Sequence, residues 1–253
     1  MFVYMSSPES VVFQKSPTSQ KKRLKGKIQP TWRRMLEKTK PSIWISLALT
    51  LASIAVVTWL GPSEASLGAN VRLVYLHGAW VWMALVAFGC AGFAGLAGLV
   101  LKNANYHRWS QALGRTGLVF WITYLPISMW AMQTNWNGLF LAEPRFRLAV
   151  IFSISGLLLQ IGLTLMAEPA WTSSANLVFG LALLFSLSNT SEVMHPPSPI
   201  WMSDSWRIKI FFLVLLGLTL VAGWHTGRWF YQAGQFGQAA PEPENLNQPQ
   251  TSL

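Results

Sequence analysis

The sequence predicts an all-α fold, a polytopic bundle of six transmembrane helices, and three observations predict it. Of the 253 residues, 52% are hydrophobic and only 11% charged, whereas a soluble domain carries about 25% charged residues. Six apolar runs follow one another between residues 43 and 226, each near the ~20 residues a helix needs to cross the hydrocarbon core. No stretch between them is long enough for a soluble domain, and no internal repeat is visible.

Residues 1–41 are polar, rich in Ser and Pro, and strongly basic from Lys15 to Lys40. Such a segment cannot bury enough apolar surface to fold, so it reads as a disordered basic tail. It holds much of the net charge of +10. A basic block before a membrane span is a topology signal and a contact for anionic lipids, and no nucleic-acid partner is expected. The first run, 43–60, reads as an uncleaved anchor. The second, 73–101, is long enough to tilt or to project beyond the bilayer. Its stretch GCAGFAGLAGLV at 89–100 is a small-residue stripe suited to close helix packing. The remaining runs are 116–132, 148–166, 173–190 and 208–226. The helical domain is thus expected over 42–231, with a disordered polar tail over 232–253. The lone Cys90 excludes an intramolecular disulfide framework.

A basic N-terminus held in the cytoplasm orients the bundle, and six spans return the C-terminus to the same side. Segments 102–115 and 167–172 are then inner loops, and 61–72, 133–147 and 191–207 are outer loops. Arg72, Arg145, Arg147 and Arg207 fall on the outer side, against the usual bias, which points to an anionic ligand there.

Two histidines share that outer boundary. His77 lies in RLVYLHGAWVWM and His195 in SEVMHPPSPIW. Two neutral imidazoles on opposite sides of a flat ring are the donor set of a low-spin haem iron. Trp80 is three residues past His77 on the same helical face. Trp130, Trp136, Trp201 and Trp206 stand at a similar depth, and Arg72, Arg145 and Arg207 are positioned for propionates. Pro196, Pro197 and Pro199 stiffen the chain after His195. The bland alternative makes the tryptophans interfacial belts, which is the expected role of Trp59, Trp109, Trp121, Trp171, Trp224 and Trp229. His107 and His225, on the opposite side, read as ordinary interface residues. The chain has no Gly-rich phosphate loop, no HExxH and no nucleophile elbow. It has no carboxylate within the spans, against a proton-coupled transporter.

These segments resemble the haem-handling membrane proteins of cytochrome c assembly, most closely the CcmC-like haem exporters, over roughly 43–226. The resemblance rests on Arg72, Tyr75, His77, Trp82 and Met83 at the opening of the second run, and on Met194-His195-Pro196-Pro197-Ser198-Pro199. The family's tryptophan-rich loop corresponds to 130–145. There the chain reads WAMQTNWNGLFLAEPR, keeping Trp130, Trp136, Glu143, Pro144 and Arg145 while most of the aromatic platform is lost. The resemblance implies haem b held by His77 and His195 and presented for cytochrome c maturation. It implies as partners a haem chaperone or apocytochrome c, an ABC-type ATPase/permease and other maturation subunits, in a bacterial inner membrane with both termini cytoplasmic. It implies a delivery protein rather than a catalyst. Two other readings use the same residues: a b-type electron-transfer membrane subunit that keeps its haem, and a haem-free assembly scaffold.

Overall fold

The computed structural model describes residues 41–191 and 200–237. Residues 1–40 and 238–253, which hold most of the two expected tails, and His195 lie outside the described residues. Among the described residues six α-helices follow in order: α1 Pro41–Trp59, α2 Val71–Leu101, α3 Ala104–Trp136, α4 Pro144–Met166, α5 Pro169–Asn189 and α6 Trp206–Gly237. Among the described residues no strand forms, and the one β-bridge, Glu64 with Gly68, closes a turn.

Helix ends are set by local chemistry. Lys102, Asn137 and Ala167 take left-handed backbone at φ 50°, 51° and 55° and stop α2, α3 and α4, the usual C-terminal device. The Asn103 side chain then accepts from the Asn105 amide to start α3, and Glu143 accepts from the Phe146 amide to start α4. Pro144 and Pro169 stand at the first turns of α4 and α5, where their missing N–H is no loss. Two-residue connections, Lys102-Asn103 and Ala167-Glu168, force antiparallel neighbours.

The expected boundaries shift where caps override polarity. Residues 104–115, read as most of an inner loop, are the first three turns of α3. The outer loop read over 133–147 shrinks to Asn137–Glu143 because α3 runs to Trp136 and α4 begins at Pro144. α6 continues to Gly237, into the stretch read as tail.

Four helices, α2, α4, α5 and α6, are long and apolar enough to cross a membrane, and α1 is a shorter apolar helix over Ile43–Trp59. These make the chain an integral membrane protein. α3 is more polar, and it packs against α2, α4, α5 and α6. Two of its buried hydroxyls find partners inside: Thr116 Oγ1 donates to the Ala112 carbonyl at 2.8 Å, and Ser110 Oγ accepts from Asn176 Nδ2 at 3.2 Å, which also donates to the Ser110 carbonyl at 2.9 Å. Asn176 Oδ1 accepts from Gln160 Nε2 at 2.8 Å, joining α3, α4 and α5 through one buried amide. Bonds of this kind hold helices together where lipid supplies no hydrophobic drive.

Up-and-down connectivity leaves the starts of α2, α4 and α6 and the ends of α1, α3 and α5 at one end of the bundle, hereafter the His77 end. The other is the His107 end.

Candidate functional site

At the His77 end the helices enclose a cavity of about 490 Å³, inside the ~300–1,000 Å³ range of pockets that bury organic ligands. α2 supplies His77, Gly78, Val81, Trp82 and Leu85, which share one helical face. α3 supplies Trp121, Tyr124, Ser128, Met132 and Trp136. α5 contributes Leu184, Leu187 and Ser188, and α6 contributes Phe212. Glu143, Arg145 and Phe146 stand where α4 begins, with Ile200 and Trp201 just ahead of α6.

The walls are aromatic and mostly apolar. The His77 ring tilts against Tyr124 at 5.4 Å between centroids, and Tyr124 leans on Trp121 at 5.1 Å. Trp121 is 1% exposed and its indole N–H donates to the Ala149 carbonyl at 3.2 Å, which fixes that wall against α4. Trp201 meets Phe212 edge-on at 6.3 Å. A methyl group placed on Gly78 would come 3.4 Å from Phe212 and 3.9 Å from Ile200, so the absent side chain lets both approach α2 beside His77. Glu143 holds the α4 start through the Phe146 amide at 2.6 Å, and this fixes the turn that carries Arg145.

Of the residues singled out from sequence, His77, Trp82, Trp136, Glu143, Arg145 and Trp201 line this cavity. Arg72, Trp80, Trp130 and Arg207 do not line it. Arg72 Nε donates to the Gly61 carbonyl at 2.8 Å and ties the α1–α2 loop to α2. Trp80 faces α3, donating to Thr123 Oγ1 at 2.8 Å and packing on Phe120 at 5.0 Å. Trp130 is 59% exposed and Arg207 is exposed. His195 lies outside the described residues, and Ile200, five residues further along the sequence, lines the cavity.

Trp121, expected in an interfacial belt, is core and cavity floor instead. Tyr124 escaped a reading centred on the histidines, and Trp82 entered it only through the resemblance. The spacing of Trp121, Tyr124, Ser128 and Met132 marks a helical stripe, but only the packing of α3 against α2 shows that this stripe faces His77. At the opposite end Trp109 stacks on Trp224 at 5.5 Å and on Tyr231 at 4.4 Å. His107 Nδ1 lies 2.7 Å from Ser173 Oγ, a contact between α3 and α5. Among the described residues no group of three or more His, Cys, Asp and Glu is placed to hold a metal ion.

Fold and site together define a helical integral membrane protein with an aromatic cavity at one end, one imidazole in its wall and a guanidinium at its rim. The chain is similar to a protein described as a cytochrome c biosynthesis ccmC-like mitochondrial protein of Marchantia polymorpha, with 22% identity over 103 residues. That match spans 41% of this chain and 45% of the relative. No family model matches, and no solved structure matches.

Proposed function

We propose that this protein holds haem b in the cavity at the His77 end and presents it to an acceptor during cytochrome c maturation. The observation that carries the reading is the convergence of His77, Arg145 and a ring of Trp and Tyr side chains on one cavity of ligand size. The similarity to a ccmC-like cytochrome c biosynthesis protein supports the same role.

The residues suit the group. Haem supplies an iron that accepts two neutral imidazoles and propionates that guanidinium groups neutralise. His77 and His195 would supply the two imidazoles that hold the iron. Arg145, held at the first turn of α4, neutralises a propionate. Trp136, Trp82, Trp121, Tyr124 and Trp201 exclude water from the macrocycle faces. Arg72 and Trp80 act behind this wall, fixing the start of α2. Trp130 and Arg207 lie outside it, where an acceptor or lipid headgroups meet them. The acceptor is a haem chaperone or an apocytochrome c, and an ABC-type ATPase/permease belongs to the same assembly. The His77 end faces the outer side of a bacterial inner membrane, with α3 as a sixth, internally satisfied span and both termini inside.

The test is spectroscopic. Protein purified in mild detergent is scanned reduced-minus-oxidised as wild type, His77→Ala, His195→Ala and Arg145→Ala. A low-spin b-type band is expected, lost in either histidine variant and weakened in Arg145→Ala. A wild type that shows no band after haem addition refutes the reading. A band that survives both histidine substitutions removes the ligand assignment.

A further inference from the structure

The cavity has a second border, on the side where α2 and α5 meet the membrane. These helices run antiparallel and touch most closely toward the His107 end. A methyl group on Gly95 would stand 2.8 Å from the Ser173 carbonyl oxygen, one on Gly92 3.3 Å from Leu177, and one on Gly180 3.4 Å from the Phe88 carbonyl oxygen. Followed toward the His77 end, this register sets Leu184 level with Leu85 and Ser188 level with Val81. All four line the cavity, so at this level both helices border it.

Two residues at this level have a double character. Trp82 and Leu184 line the cavity, yet they are 48% and 47% exposed. Each continues a stripe of outward-facing apolar side chains, Val86 and Phe93 on α2, Leu181 and Phe185 on α5. Both helices are apolar enough to cross a membrane, so the stripes face lipid. Cavity wall and lipid-facing surface are therefore continuous across these two side chains.

The geometry points to a lateral slot between α2 and α5, with Trp82 and Leu184 as its lips, through which the cavity takes its occupant from the bilayer rather than from water. This rests on the haem reading above and names the source of the ligand: a flat amphiphile already dissolved in the outer leaflet. The polarity of the cavity matches such a source. Glu143, Arg145 and Trp136 stand at its end, and Leu85 and Trp121 lie deep. An amphiphile in a leaflet keeps its anionic groups at headgroup level and its apolar body among the chains. Sliding sideways, it arrives with its anions level with Arg145 and never carries its apolar face through water.

The experiment loads apo-protein in proteoliposomes with haem from two donors, vesicles in which haem is pre-dissolved and an aqueous haem–albumin complex, and follows the growth of the Soret band. Wild type is expected to load faster from the membrane phase. Leu184→Trp narrows the slot and slows the vesicle arm about tenfold, equivalent to ~1.4 kcal/mol of added barrier, with the albumin arm slowed less. Trp82→Ala, which removes bulk from the other lip, speeds the vesicle arm and guards against misfolding of the first variant. Equal slowing of both arms by Leu184→Trp, or a vesicle rate insensitive to both substitutions, overturns the slot while leaving haem binding intact. A wild type without a Soret band in either arm overturns the haem reading and the slot with it.

Discussion

Gly95→Ala isolates the contact that holds α2 against α5 and α3. The added methyl group would sit 2.8 Å from the Ser173 carbonyl oxygen and 3.0 Å from Ser110 Oγ, against ordinary contacts of about 3.5 Å. The first neighbour is backbone in the interior of α5 and cannot rotate aside, so the helices must separate by several tenths of an ångström. Overpacking of this kind costs about 1–3 kcal/mol. Displacing Ser110 also strains its bond from Asn176 Nδ2, now 3.2 Å, adding roughly 0.6 kcal/mol by the average for such bonds in membranes. Alanine also gains about 0.8–1 kcal/mol over glycine in a helix interior, and Gly89→Ala provides the control. It lies on the same helix with nothing within 4 Å of its added methyl group, so it carries the propensity gain alone. The difference between the two variants is then the packing cost together with the strained hydrogen bond, about 1.6–3.6 kcal/mol with Gly95→Ala the less stable. Equilibrium unfolding of both proteins in bicelles measures it. If Gly95→Ala proves as stable as Gly89→Ala, the close packing of α2 on α5 is wrong, and the register used to locate the slot falls with it.

Two further outcomes follow from the loops at the His77 end. Glu143→Ala removes the cap of α4 and is expected to cost about 1 kcal/mol and to weaken haem affinity through Arg145; Glu143→Gln, which keeps an acceptor oxygen, retains most of both. Hydrogen exchange at the Phe146 amide together with haem titration checks this, and unchanged exchange in Glu143→Ala would refute the capping role. Glu64 titrates below its ordinary range because its carboxylate accepts from the Ser66 hydroxyl and from the Leu67 and Ser66 amides. A lowered folded-state pKa means that this turn's stabilisation is present above the ordinary glutamate pKa and is lost as pH falls through the lowered value. Exchange at Ser66 and Leu67, corrected for intrinsic pH dependence, should therefore quicken on acidification in the wild type, and Glu64→Gln should abolish that change.

Much of the candidate site could be read from composition and spacing. His77 stands out because an imidazole at the edge of an apolar run is conspicuous, and Trp136 and Arg145 because they flank a break between two such runs. Trp80 shows the limit of the same logic. It shares a helical face with His77 by spacing, but α3 packs against that part of α2, and the indole is taken up by Thr123 and Phe120. Trp121 shows the converse: an aromatic in an apolar run looks like a belt residue until α4 is found to cover it through the Ala149 carbonyl.

The sequence by itself determined the helical class, the membrane setting, the order of the helices and the end of the bundle at which the candidate site lies. These depend on local quantities: run length, charge deficit and proline. Tertiary structure alone decided which faces meet. The polarity of α3 is compatible with a surface helix, and only its position among four neighbours turns Ser110, Thr116 and Ser128 into buried groups. Likewise the cavity is walled by α2 and α5 beyond the level at which the two close on glycines. That is a property of two helices in register, and neither helix's sequence contains it.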